Sequence, residues 1–204
     1  MIVCAGYSES FAFAKSIGVG LVESAIGLSQ ICSREYVHCV IFIGSAGAYD
    51  KSINIFDMYI SDSATQVELS FLQDKSYTPI DNRIESGVLK ELVSYETFKH
   101  KANYKQAVIN SSNYVTTDEQ LAMCLAQAGI LLENMEFFAV MRVAQYFQIP
   151  CVGIFCVSNY CHTYAHDEFM SNHQQVKRKL TEQLPLIQDI SCILSKDLVQ
   201  NHKS

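Results

Sequence analysis

The chain has few charges and no concentration of positive ones. Of its 204 residues only 18% are charged, and the 15 Lys and Arg are scattered over a net charge of −6. No basic stripe exists to neutralise a phosphate backbone, which argues against nucleic acid as a partner. No apolar run approaches the roughly 20 residues that span a bilayer, and no basic segment precedes the strand-like Met1-Ile2-Val3-Cys4. A membrane is therefore not expected as a partner, and the expected location is the cytoplasm. None of the eight cysteines forms a Cys-x-x-Cys pair. Several lie inside apolar runs, where a reduced cysteine packs as a small hydrophobe, so neither zinc nor a redox centre is expected. Dinucleotide and Walker spacings, internal repeats and low-complexity segments are missing too.

What is present is apolar and periodic. Hydrophobic residues make up 49% of the chain, enough to bury a full core and to leave apolar surface for subunit contacts. Short apolar, β-branched runs alternate with segments of helical spacing. Strands are expected at 2–5, 37–43 (closed by Gly44), 53–63, 106–110, 130–132 and 150–157. Helices are expected at 20–34, 86–99, 117–128, 135–147 and 166–184, with a turn-rich stretch at 74–83 and a polar tail at about 189–204. This alternation predicts one α/β domain over residues 1–204, with a central mixed, largely parallel twisted sheet flanked by helices.

Two polar clusters fall at element ends. Asn134-Met135-Glu136 opens a helix, which places a carboxylate near the positive end of the dipole, where it can accept hydrogen bonds from hydroxyls. Ser158-Asn159 closes an apolar strand, the end at which open α/β sheets bind ligands. Gly18-Val19-Gly20 at a helix start and Gly44-Ser45-Ala46-Gly47 at a strand end can bring backbone N–H groups close to a ligand, although glycines at such ends are commonly plain turns.

In this order, and with Ser112-Asn113-Tyr114-Val115 and His166-Asp167-Glu168-Phe169 between and after them, these motifs resemble the purine nucleoside phosphorylase and methylthioadenosine/S-adenosylhomocysteine nucleosidase family over roughly residues 1–185. The resemblance implies cleavage of the bond between ribose and a purine, without a metal or cofactor, in a homo-oligomer (dimer or hexamer). It implies that Met135 packs on the sugar and Glu136 accepts from its 2′ and 3′ hydroxyls. Tyr114 would stack on the purine, Val115 would present main-chain groups to its edge, and Ser45 would stand beside the anion or the attacking water, with Gly18 in the same anion site. Asn134 departs from a Glu that the family commonly carries there.

Asn159, next to Ser158, takes the position at which adenosine-cleaving members carry Asp. An Asp can protonate N7 of the leaving base, whereas an amide can hold N7 and a 6-keto oxygen through neutral hydrogen bonds. Nucleosides of 6-oxopurines, of the inosine and guanosine type, are therefore expected, unless Asn159 is only a strand-end cap. Phosphate is possible as a co-substrate, with Arg34, Arg83 or a neighbouring subunit as sources of charge. Against it, Phe42 stands where phosphorylases often place Arg, and Glu9 falls where nucleosidases carry the Glu that activates water. Phosphorolysis and hydrolysis both stay open, as does a non-catalytic nucleoside-binding or regulatory relative.

Overall fold

A computed structural model describes residues 1–94 and 104–201. Its ten strands are β1 (Ile2–Cys4), β2 (Lys15–Ser16), β3 (Val40–Ala48), β4 (Met58–Ser61), β5 (Ser63–Thr65), β6 (Arg83–Glu85), β7 (Lys105–Gln106), β8 (Val108–Asn110), β9 (Ile130–Glu133) and β10 (Cys151–Tyr160). Among the described residues the helices are α1 (Gly20–Arg34), α2 (Leu69–Leu72), α3 (Val88–Ser94), α4 (Glu119–Gln127), α5 (Phe137–Tyr146), α6 (Ala165–Glu182) and α7 (Leu184–Asn201), with a 3-10 turn at Tyr7–Glu9. All ten strands join one mixed sheet in the order β6-β5-β8-β9-β3-β10-β4-β7, with β1 also on β3 and β2 on β1. The β1, β10, β8 and β5 contacts are among the parallel ones, while β9 meets β3 and β4 meets β10 antiparallel.

The two longest strands, β3 and β10, form the centre because both are apolar on both faces, as strands covered by helices on each side must be. On one face Phe42, Phe137 and Phe155 are fully buried, with Phe137 and Phe155 edge to face at 5.1 Å between centroids. Gly153 is required beneath them, since a Cβ there would come within 2.5 Å of the Phe155 ring. On the other face Ile41, Ile43, Ile154 and Cys156 pack against Val176 and Leu180 of α6 and Ile187, Ile190 and Leu194 of α7. Among the described residues, no helix is long and apolar enough to cross a membrane.

The fold adds the short elements β2, α2 and β6 to those expected, splits the expected strand 106–110 into β7 and β8, and differs further in four places. β3 does not stop at Gly44 but continues to Ala48, because its small residues are hydrogen-bonded to β10 and, at Gly47 and Ala48, to β9. The expected strand 53–63 is a turn up to Asp57, where Phe56 takes φ 71°, and then two short strands, β4 and β5. The expected helix 86–99 is α3 as far as Ser94, and its remainder lies outside the described residues. The expected polar tail is α7, whose Ile187, Ile190 and Leu194 recur at helical spacing and are buried. Of the eight cysteines, all unpaired, Cys4, Cys39, Cys151, Cys156 and Cys161 are buried, while Cys124 and Cys192 are exposed.

Candidate active site

A cavity of about 380 Å³ opens at the carboxyl ends of β3 and β10. The loop after β1 closes one side of it and the first turn of α6 another. Of the residues singled out in the sequence, Glu9, Ser45, Tyr114, Val115, Met135, Glu136, Ser158 and Asn159 all line it.

Glu136 is the N-cap of α5 and is 3% exposed. Its Oε1 accepts from the N–H of Gly20 at 2.9 Å. The carboxylate thus sits against the first turn of α1, where the helix dipole favours negative charge. Burial nevertheless pushes its pKa up to about 7, opposed by the Gly20 hydrogen bond and reinforced by the negative charge of Glu9. Asn134 fixes this corner. Its Oδ1 accepts from the N–H groups of Glu136 and Phe137 at 2.9 and 3.0 Å, which caps α5 in the way a short polar side chain does. Its Nδ2 donates to the Ser45 carbonyl at 3.1 Å. The departure at Asn134 therefore builds the joint between α5 and β3.

Glu9 ends the 3-10 turn, whose entry needs Gly6 at φ 108°. The turn is tied to α6, from which His173 Nε2 and Lys177 Nζ donate to the Ser8 carbonyl at 2.8 and 3.0 Å. The Glu9 carboxylate is buried at 8% exposure and accepts from the Ser45 N–H at 3.3 Å. Burial raises its pKa, and Ser45, His173 and Lys177 offset only part of that rise.

Asn159 occupies a bulge. The parallel pairing of β10 with β3 shifts register between Val157 and Asn159, so that Asn159 stands opposite Gly47. Its Oδ1 accepts from Ser158 Oγ at 2.7 Å and its Nδ2 donates to the Tyr160 carbonyl at 3.2 Å. One N–H and one lone pair of the amide stay free for a ligand. Tyr114 is 78% exposed and Val115 50%, so neither belongs to the core. Their segment is held by Asn113, whose Oδ1 accepts from the Leu21 N–H at 2.9 Å.

Gly18 is not brought to the site. Its N–H donates to the Ala5 carbonyl at 2.9 Å and its φ of 110° makes the turn into α1, so the Gly18 part of the expected anion site is corrected. The backbone donor from that motif is Gly20, and it is taken by Glu136. Neither Arg34 nor Arg83 reaches the cavity, and among the described lining residues there is no Lys or Arg. The polar start of α6 braces the site. Glu168 accepts from the Tyr160 N–H at 2.9 Å and pairs with His162 at 3.0 Å. Glu133, Thr163, His166 and Phe169 also line the cavity and were not named from sequence as site residues. The signal for Glu133 was its place next to Asn134, at the end of an apolar strand.

Residues 3–184 match the family model described as Phosphorylase superfamily. The chain belongs to this superfamily. Among its relatives, the 5′-methylthioadenosine/S-adenosylhomocysteine nucleosidase of Desulfotalea psychrophila is 27% identical over 187 residues, covering 82% of this chain and 78% of that one. The corresponding nucleosidase of Staphylococcus haemolyticus is 25% identical over 180 residues, with 82% and 78% covered. Among solved structures, a Helicobacter pylori nucleosidase carrying an Asp-to-Asn substitution, with 5′-methylthioadenosine in its active site, superposes with a TM-score of 0.74 at 19% identity, covering 92% of this chain and 96% of that one. The futalosine hydrolase of H. pylori superposes with a TM-score of 0.74 at 18% identity and the same coverage. The superfamily fold, a mixed and largely parallel sheet between helices, is the one described above.

Proposed function

We propose that this chain hydrolyses the N-ribosidic bond of purine nucleosides, with 6-oxopurines as the preferred bases. The observation that carries this reading is the lining of the cavity: it holds the carboxyl groups of Glu9 and Glu136 and no Lys or Arg among the described lining residues. A phosphate dianion needs cations or clustered free N–H donors, whereas carboxylates suit water activation and a cationic ribosyl group.

The steps follow from the positions of the side chains. The Glu136 carboxylate accepts from the 2′ and 3′ hydroxyls of the ribose and holds C1′ above the Ser45 region, with Met135 against the sugar. As the bond from C1′ to N9 lengthens, positive charge grows on the ribosyl group, and Glu136 and Glu9 stabilise it across a poorly hydrated gap. The Glu9 carboxylate, more basic than an exposed one because it is buried, takes a proton from the water that adds to C1′. Tyr114 covers one face of the base, and Asn159 donates an N–H to its 6-keto oxygen and turns a lone pair towards N7, where it accepts once N7 carries a proton. The assignment of the acceptor to water also agrees with the nucleosidase and hydrolase activities named for the relatives.

The test is incubation with inosine, guanosine, adenosine and 5′-methylthioadenosine, with and without phosphate, followed by detection of free base and sugar product. Base release from inosine or guanosine in excess of adenosine, independent of phosphate, is the expected result. Nucleoside binding without base release would establish a non-catalytic relative instead.

A further inference from the structure

Glu133 lines the cavity but has no part in the ribose and water roles. It lies at the end of β9, opposite Gly47 on one side, while Asn159 lies opposite Gly47 on the other. Gly47 has no side chain, and the two neighbours close over the gap. A methyl group at Gly47 would stand 3.2 Å from Glu133 Cγ and 3.0 Å from Asn159 Nδ2. The Glu133 side chain thus stands across Gly47 from the Asn159 amide, and both line the same cavity. Its own partners are donors only: Tyr49 Oη to Oε2 at 2.9 Å, the Thr116 N–H to Oε1 at 3.1 Å, the Thr116 hydroxyl and the Cys161 thiol. No cation is among them.

Resting on the hydrolase reading above, we propose that Glu133 is the general acid that protonates N7 of the leaving purine, the task for which Asn159 has no proton. N7 is the one nitrogen of the five-membered ring with a free lone pair once N9 carries the sugar. In the step, the Glu133 carboxylic acid gives its proton to N7 while the bond from C1′ to N9 breaks and its electron pair passes to the base. Glu133 is left as a carboxylate. Water adds to C1′ and loses its proton to Glu9, and both groups return to their starting states by exchange with solvent. Asn159 then positions the base and Glu133 supplies the proton, two jobs that a single Asp could perform. Loss of water around Glu133 raises its pKa, which its donors only partly reverse, so the acid form persists above the usual carboxylate range. Tyr49 and Cys161, the titratable groups that face it, are both pushed to higher pKa and stay neutral.

The test compares inosine with 7-methylinosine, whose base already carries the charge that protonation would create and leaves without a proton. Glu133→Gln is expected to lower kcat/KM for inosine by ~100-fold or more and for 7-methylinosine by less than ~3-fold, in the range of a lost general acid. The alkaline limb of the inosine profile should vanish in Glu133→Gln. It should move to higher pH in Tyr49→Phe, which removes a donor that favours the ionised form. Equal losses on the two substrates, or an unchanged inosine rate, would overturn the proposal. If the N7 methyl blocks binding, or Glu133→Gln does not fold, an alkaline limb that stays in place in Tyr49→Phe overturns it. Wild-type protein that releases no base from any nucleoside defeats the hydrolase reading itself, whereas active wild type with an indifferent Glu133→Gln defeats this inference alone.

Discussion

At the end of the cavity assigned to ribose and water, the polar groups are gripped by backbone. Glu136 holds the Gly20 N–H, Glu9 holds the Ser45 N–H, and Asn134 bridges α5 to the Ser45 carbonyl. At the end assigned to the base, backbone contacts from the Thr116 N–H and to the Tyr160 carbonyl are joined by a chain of side chains that hold side chains: Ser158 on Asn159, Tyr49 on Glu133 and Asn110 on Tyr49. Backbone partners cannot be exchanged by mutation, so the first end is fixed by the fold. Side-chain partners can be, so the second end is where specificity can change without loss of the fold. The ribose end should therefore respond to substitution alike for every nucleoside, and the base end differently for each.

The largest expected effect tests the first half of that statement. Glu136→Ala should lower kcat/KM at least ~100-fold on inosine and adenosine alike, because it removes both orientation and charge stabilisation. Steady-state kinetics on folded protein measures it, and a base-dependent loss would break the comparison. Glu9→Gln should lower phosphate-free base release by ~100-fold at neutral pH, again irrespective of the base, because an amide is a far weaker proton acceptor. The acid limb that remains in the pH profile of this variant should be the one set by Glu136, whose pKa is about 7.

Asn159→Asp should give a smaller and selective effect, a shift of ~10-fold or more in the ratio of adenosine to inosine rates. A carboxylate accepts from a 6-amino group and repels a 6-keto oxygen. An unchanged ratio would show that Asn159 does not read the base.

A separate effect concerns stability rather than turnover. Glu136 has a pKa of about 7 in the folded protein against 4.5 when exposed. The folded state therefore binds the proton more tightly than the unfolded one. The full stability is present below about pH 4.5 and is lost as pH rises through about 7, by up to ~3 kcal/mol for that shift. Glu136→Gln, which keeps an acceptor for Gly20, should be more stable than wild type at pH 8 and should lose that advantage at pH 5. Denaturant melts at the two pH values measure it.

Much of the frame could be read from the sequence because it is written in apolar periodicity. α1 was placed at its residues, and β10, α5 and α6 to within a few positions, since each has a strong apolar face. Residues dominated by a local pattern were read correctly and those dominated by distant partners were not. Gly44-Ser45-Ala46-Gly47 looked like the end of a strand, yet β9 and β10 hold it extended. Ile187, Ile190 and Leu194 were hidden among polar neighbours until α6 and the sheet gave them a surface. That Glu9, Glu136 and Asn159 would meet in one cavity was legible through motif order. Glu133 was not, because its meaning depends on the cross-strand row it shares with Gly47 and Asn159, and Gly18 was over-read because its neighbour Gly20 makes the contact.

The acceptor is the centre of the account, and proton and phosphorus NMR of the reaction with inosine in buffer containing phosphate reads it directly. The account predicts free ribose as the sugar product, formed at the same rate with and without phosphate and slowed in Glu9→Gln. Ribose 1-phosphate as the sole sugar product, with no reaction in phosphate-free buffer and full activity in Glu9→Gln, would contradict it.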